Sequence, residues 1–403
     1  MKTDTTRGMA RRIAVALATC GTLMTAALPS RAAGVDARTT LFVTNRDSSD
    51  VTMIDTSSDR IMGRIALGER VNPHMAMVIP DGKRLLVAGT RRNQALIVDL
   101  ATLDVARRIP LGIDPEHFDI SDDGRLALMG NLEEGTVSVL DLVAGIEIKR
   151  MGGFSEPHGF AFLPGGKKAY VSNFGAHEVA AIATAAMETI AVAQRFAVGS
   201  SHMLAGANPD RYLTEIKGIA NPTPTLDGRF VYAADGDSGE IAVIDTVTDE
   251  VVKTIRVGEE PWRAYPSPDG SKMLVPNNGD ETISVIDVAK QTVIATLRAG
   301  PGMTGINFDG KGRKAYAFSS GEYGTVLIYD LADLREAGQR RLGPNVSLET
   351  ATTTPDGRKI YLASSTDNSV YVIHTASDEI TRIPNVGESP WATTMLGTYQ
   401  YCH

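Results

Sequence analysis

The sequence of 403 residues predicts an all-β fold, an eight-bladed β-propeller of four-stranded blades, and three observations carry that prediction. The first is a recurrent turn. It reads Pro80-Asp81-Gly82, Asp122-Asp123-Gly124, Pro164-Gly165-Gly166, Leu226-Asp227-Gly228, Pro268-Asp269-Gly270, Phe308-Asp309-Gly310 and Pro355-Asp356-Gly357. Proline presets φ in such a turn and glycine accepts φ > 0. The second is the short apolar run that follows each turn: LLVAG, LALMG, AYVSN, FVYAA, MLVPN, AYAFS and IYLAS, with LFVTN (Leu41–Asn45) as the first of eight copies. The third is at the C-terminus, where Trp391 in GESPWATTMLG matches Trp262 in GEEPWRAYPSP. That last segment supplies the strand missing from the blade begun by Leu41–Ile65. The C-terminal strand should therefore pair with the N-terminal strands and leave no open sheet edge. Seven blades are the alternative, should the longest inter-repeat segment absorb a copy.

The repeat is clearest from Val257 to Leu297. A Gly-Glu-x-Pro loop leads into a strand at Trp262–Pro266. The Pro268-Asp269-Gly270 turn leads to a second strand, Lys272–Pro276. Asn277–Asp280 turns the chain into a third, Thr282–Asp287, which alternates with period two, and Thr292–Leu297 is the fourth. Four antiparallel strands in about 40 residues make one blade. The third strand ends in aspartate at Asp55, Asp99, Asp141, Asp245, Asp287 and Asp330. An aspartate there can accept hydrogen bonds from the turn that follows, a structural role. Ala180–Val192 is alanine-rich and invites a helical reading, but its place in the repeat assigns it to strands three and four. The one long spacing carries an insertion of about 20 residues within Gly199–Lys217, and a segment of that length in a compact domain is more often functional than filler.

Residues 1–32 read as a cleaved signal peptide, and 33–403 as a single propeller domain. Arg7, Arg11 and Arg12 precede the apolar stretch Ile13–Leu28, and Ser30-Arg31-Ala32 fits a small-x-small cleavage site. The stretch is short for a transmembrane helix, so no stable membrane insertion is expected after cleavage. The segment carries five basic residues against one acidic, so its removal takes the net charge from −8 to −12. Such a charge argues against nucleic acid or anionic lipid as a partner. Cleavage also leaves Cys402 as the single cysteine, which excludes an intramolecular disulfide. Export of this fold points to the periplasm of a Gram-negative bacterium.

Strand polarity places the start of each first strand at one rim of the channel, together with the loop after the second strand. The residue six places before each turn is His74, His117, His158, Ala220, Trp262, Gly302 and Glu349, with Trp391 in the closing blade. Three of the protein's 7 histidines thus fall at this position on consecutive blades. Imidazoles converging from neighbouring strands can hold a metal ion. His74, His117 and His158 are accordingly the candidate metal ligands. His177, in the loop after a second strand, and His202, in the insertion, belong to the same face. Glu349, Tyr212 and Met75 are possible companions, and Trp262 and Trp391 could wall a planar cofactor. Two readings compete with a metal: another small ligand or substrate, or residues that simply pack the channel mouth. At the opposite rim His374, Cys402 and His403 form a weaker second cluster, with a frayed terminus as its plain alternative. No Ser-His-Asp signature, phosphate loop, zinc-finger spacing or EF-hand stands out.

The runs LFVTN, AYVSN, TVSVLD and ISVIDVAKQTV, with the PDGKR turn, resemble the YVTN family of β-propeller repeats, from about Leu41 to Gly397. That family is similar to the d-type haem domain of dissimilatory nitrite reductases, itself an eight-bladed propeller. The resemblance is specific for fold and weakly so for function. It implies a histidine as axial ligand to a d-type haem, without saying which. The alternatives are copper, zinc or iron bound directly. The haem enzymes also carry a c-type cytochrome unit, and this chain has no Cys-x-x-Cys-His for it. The expected function is binding of a metal or metal cofactor at a His-rich channel mouth, accessory to a periplasmic redox system with a protein partner. A non-catalytic interaction scaffold, or an enzyme using the histidines as acid and base on a small substrate, are the other two classes.

Overall fold

The computed structural model describes residues 35–194 and 218–398. The segment expected to be a signal peptide, the heart of the insertion with His202 and Tyr212, and the tail with Cys402 and His403 lie outside them. Eight four-stranded antiparallel sheets form an eight-bladed propeller. Seven blades run in sequence order through residues 73–110, 115–152, 157–194, 219–256, 265–298, 303–344 and 348–384. The remaining blade joins Thr40–Asn45, Asp50–Asp55 and Arg60–Ala66 to the C-terminal strand Pro390–Thr394, with Phe42 opposite Thr394 and Val43 opposite Thr393. The closure expected from the Trp391 match is therefore present. Among the described residues there are only two short 3-10 turns, and no helix is long and apolar enough to cross a membrane. The Ala-rich stretch is sheet, as Glu178–Ala183 and Glu188–Gln194. The strand expected at Trp262–Pro266 is shorter, limited to Tyr265–Pro266 with one further bridge from Pro261 to Asn277.

The repeat letters have local causes. In the turn after the first strand a hydroxyl two residues before the aspartate donates to it: Ser121 to Asp123, Thr225 to Asp227, Ser267 to Asp269 and Thr354 to Asp356, at 2.5–2.7 Å. These bonds hold all four carboxyls below the usual range. The glycine that follows sits at φ 67–69° in each of these turns, the left-handed region where a Cβ is strained. Asp55, Asp99, Asp141, Asp245, Asp287 and Asp330 accept N–H bonds from the next turn, as expected. His374, which replaces that aspartate in the blade of residues 348–384, offers its backbone carbonyl to Ser377 and Asp378. The asparagine that closes LFVTN and MLVPN is buried. Asn277 Nδ2 donates to Thr282 and Ser284, and Asn45 Nδ2 to Asp50 and Thr52. Apolar side chains fill the space between blades, for example Phe42, Val51, Leu85 and Leu96 between the closing blade and its neighbour.

First strands of neighbouring blades touch one another and line the channel. Their starts pair with the ends of the second strands: Pro73 with Gly89, Pro115 with Asn131, Pro157 with Asn173. These form the upper rim, and the Asp-Gly turns form the lower. Each of these first strands shifts register between its opening proline and the third residue on, as at Pro115/Phe118. Such an irregularity breaks the alternation of faces where the chain enters the channel.

Candidate metal centre at the channel mouth

The register shift decides what reaches the upper mouth. His74, His117 and His158 are all buried there, on three consecutive blades. Their rings form a continuous row. His74 meets His117 edge-on at 4.9 Å between centroids, and His117 lies 3.9 Å from His158. Trp391 stands at one end, 5.4 Å from His74, its Nε1 donating to His74 Nε2 at 3.3 Å. Phe174 and Trp262 stand at the other, 5.4 and 6.1 Å from His158. The two tryptophans thus stand at the two ends of the row.

The residue that the sequence reading missed is Glu116. A regular strand would turn it away from its neighbour His117, but the shift at Pro115/Phe118 lets both reach the cluster. Its Oε1 lies 3.7 Å from His74 Nδ1 and its Oε2 3.8 Å from His117 Nδ1. His74, Glu116 and His117 can each offer one ligand atom within 4.8 Å of the others. Burial, then the nearby Asp114 charge, pushes the Glu116 carboxyl up to about 8, against a weaker pull from Arg46. Asp114, next to it at a positive φ of 62°, is pushed up to about 6 by burial and Glu133. Arg46, also unforeseen, lies over the Trp391 ring at 4.3 Å. Two imidazoles and one carboxylate make a donor set suited to zinc, iron or copper.

His158 extends the row without joining the carboxylate. His177 takes a different place. It caps the short turn Phe174–Ala176 at φ 52° and links two blades, with Nδ1 3.1 Å from Asp235 and Nε2 3.3 Å from Asp237. The Asp235 hydrogen bond raises its pKa against burial, which lowers it. Both ring nitrogens face carboxylates, the arrangement of an inter-blade tie. Glu349, on the first strand of the blade of residues 348–384, is buried and accepts from the hydroxyls of Ser347 and Ser365. The bottom cluster reduces to His374 among the described residues.

An imidazole spacing of 3.9 Å leaves no room for a macrocycle between His117 and His158. His74, Glu116 and His117 fit a metal ion as they stand. Ion loading has a consequence for Trp391. With its Nε1–H donating to His74 Nε2, that imidazole carries its proton on Nδ1. Ligation of an ion through Nε2 would replace the tryptophan bond, and ligation through Nδ1 would move the proton onto Nε2 and break it.

A family model described as YNCE-like beta-propeller matches residues 93–399, about three quarters of the chain. A second, described as Cytochrome D1 heme domain, matches residues 35–150, a stretch that includes His74, Glu116 and His117. Among solved structures, the chain is similar to "Dihydro-heme d1 dehydrogenase NirN in complex with DHE" at 20% identity and a TM-score of 0.72, over 92% of this chain and 78% of that one. It is also similar to Kuenenia stuttgartiensis hydrazine synthase at 21% identity and a TM-score of 0.52, over 81% of this chain and 99% of that one. At these identities the likeness is one of fold. No curated protein matches the sequence.

Proposed function

The chain belongs to the YNCE-like beta-propeller family, and on that scaffold we propose that it binds a transition-metal ion, zinc, copper or iron, through His74, Glu116 and His117. The observation that carries this is the Glu116 carboxylate set between two imidazole Nδ1 atoms. A half-buried acid beside a second acid is unfavourable on its own, and a divalent cation relieves it. Arg46 and Trp391 shape the outer side of the site, and His158 backs it. The export signal read from residues 1–32 supports the periplasm as the site of this binding, as an accessory to a redox system. In a second reading a d-type haem lies across the row with one imidazole toward its iron. The Cytochrome D1 heme domain match over residues 35–150 favours it.

The test is metal analysis and absorption spectroscopy on protein exported to the periplasm, with Trp391 fluorescence as a third readout in a Trp262→Phe background. Stoichiometric metal without a haem band, lost after chelation together with a change in Trp391 emission, is expected. His117→Ala or Glu116→Gln should weaken binding by about a hundredfold, the loss of one ligand's interaction. A haem band that vanishes in His117→Ala selects the second reading. Protein that stays free of metal and haem after incubation with copper, zinc, iron and haem sinks both, and turns the search to a protein partner.

A further inference from the structure

Below the histidine row the channel opens into a cavity of about 230 Å³, walled by the first strands of four blades and the start of a fifth. Met75, Met77, Phe118, Phe160, Pro222 and Pro224 give it an apolar body. Leu226 and Pro266 line both this cavity and a hollow of about 300 Å³ at the lower mouth. Leu226 is 57% exposed, so the cavity borders solvent on that side, away from the rim that carries His74 and Glu116. A mostly apolar hollow with few polar groups is the usual form of a small-molecule site.

The two charged groups in its wall are engaged by the protein. Asp119 accepts from Ile120 N through Oδ1 and from Phe162 N through Oδ2, both at 2.8 Å, the second bond crossing to the next blade. Arg263 is buried, its Nε donates to Thr223 Oγ1 at 3.3 Å, and its positive charge acts on Asp119. The two charges are opposite and offset one another within the wall. A charged guest would give up its hydration and meet no unmatched counter-charge, which is unfavourable. Water gains little in such a space, because each molecule needs about two to four polar partners, whereas an apolar cavity of about 150 Å³ takes up benzene. Thioethers and phenyl rings also make favourable contacts with an aromatic guest, and Met75, Met77, Phe118 and Phe160 supply both.

We propose that this cavity is a binding site for a small uncharged aromatic molecule, held by contact with Met75, Phe118 and Phe160 and not by charge. Its volume suits a guest somewhat larger than benzene, such as toluene or indole, and is too small for a tetrapyrrole. Of its wall only His117 belongs to the metal set, and the site needs no metal.

The experiment is titration calorimetry on chelated, metal-free protein with toluene and indole as probes, and benzoate and benzylamine as charged controls. At least one neutral ring should bind one to one, with the negative heat-capacity change that marks burial of apolar surface. Both charged controls should bind more weakly than that ring by about tenfold or more, the cost of stripping water from an unmatched charge. Ala161 and Met77 both line the cavity. Ala161→Leu and Met77→Trp fill it and leave both charged groups in place. Each should weaken the neutral guest by about tenfold or more while circular dichroism shows the propeller retained. The proposal is overturned if neither toluene nor indole binds metal-free wild type, if benzoate or benzylamine binds as tightly, or if a folded cavity-filling variant binds like wild type. Because the metal is absent throughout, failure here leaves the metal result unaffected, and the reverse holds.

Discussion

The two rims of the channel treat charge in opposite ways. At the lower rim a lysine and a tyrosine from the start of a second strand reach an aspartate in the outer turn of the next blade. Lys168 and Tyr170 meet Asp249, Lys314 and Tyr316 meet Asp378, and Lys359 and Tyr361 meet Asp59, with Lys–Asp distances of 2.7–2.8 Å. The aspartate sits each time at φ 57–60°. Burial, and then the aspartate, raises the pKa of each tyrosine. In each of these ties the lysine and the aspartate offset one another. At the upper mouth acid is crowded on acid: Asp114, Glu116 and Glu133 share one region, and burial raises Glu116 more than Arg46 lowers it. A fold that satisfies one rim and strains the other has spent its stability where a ligand is expected to repay it.

The contrast breaks first at the closing blade. The Lys359–Asp59 pair joins the last blade to the first, and both side chains are about one-fifth exposed (20% and 22%). Asp59→Asn keeps a residue that tolerates the left-handed turn but leaves the lysine uncompensated. Breaking a buried pair in this way costs 3–5 kcal/mol, so about 2–3 kcal/mol is expected at this partial exposure. Urea unfolding should show it as a lower midpoint at unchanged slope. A change below about 0.5 kcal/mol would mean that the lower-rim ties contribute geometry and little stability.

How much of this was legible depends on period. The blades, their number and the closure were readable because Pro-Asp-Gly turns and VTN-like strands repeat, and each letter has a local cause, such as Ser267 on Asp269 or Asn277 on Thr282. His74, His117 and His158 were readable because they share one repeat position. Glu116 was not, since period two puts it opposite His117 and only the register shift brings it back. The lower-rim ties were also missed. Their sequence signal, Lys-x-Tyr at Lys168, Lys314 and Lys359, is short, and its partner lies in another blade. His177 illustrates the limit of loop assignment: its face was inferred from polarity, while its commitment to Asp235 and Asp237 needed the neighbouring blade in place.

His177 sharpens the comparison, because it is an upper-rim charge that is satisfied. The Asp235 hydrogen bond raises its folded pKa above the unfolded value of about 6.5. Its contribution is therefore fully present below that unfolded value and is lost as pH rises through the folded one. His177→Gln should destabilise by about 1–2 kcal/mol at pH 6, the worth of a charge-assisted bond, and by less at pH 9. Denaturation at the two values measures the difference. An equal effect at both pH values would show that the imidazole acts by packing alone.

The smallest expected effect falls on the strained acid itself. Burial and the Asp114 charge push the Glu116 carboxyl up, toward its neutral form, when no metal is bound. Glu116→Gln then replaces one neutral hydrogen-bonding group by another of the same shape. Its stability should differ from metal-free wild type by less than about 0.5 kcal/mol, the range of a substitution that touches no structural tie. Asp59→Asn makes the same chemical change at the lower rim and is expected to destabilise several times more. With saturating zinc the order should reverse in part, because wild type gains the linkage energy of the bound ion and Glu116→Gln gains less. A large loss from Glu116→Gln in metal-free protein would show that the carboxylate already holds the mouth together, and the division between a satisfied rim and a strained one would fall.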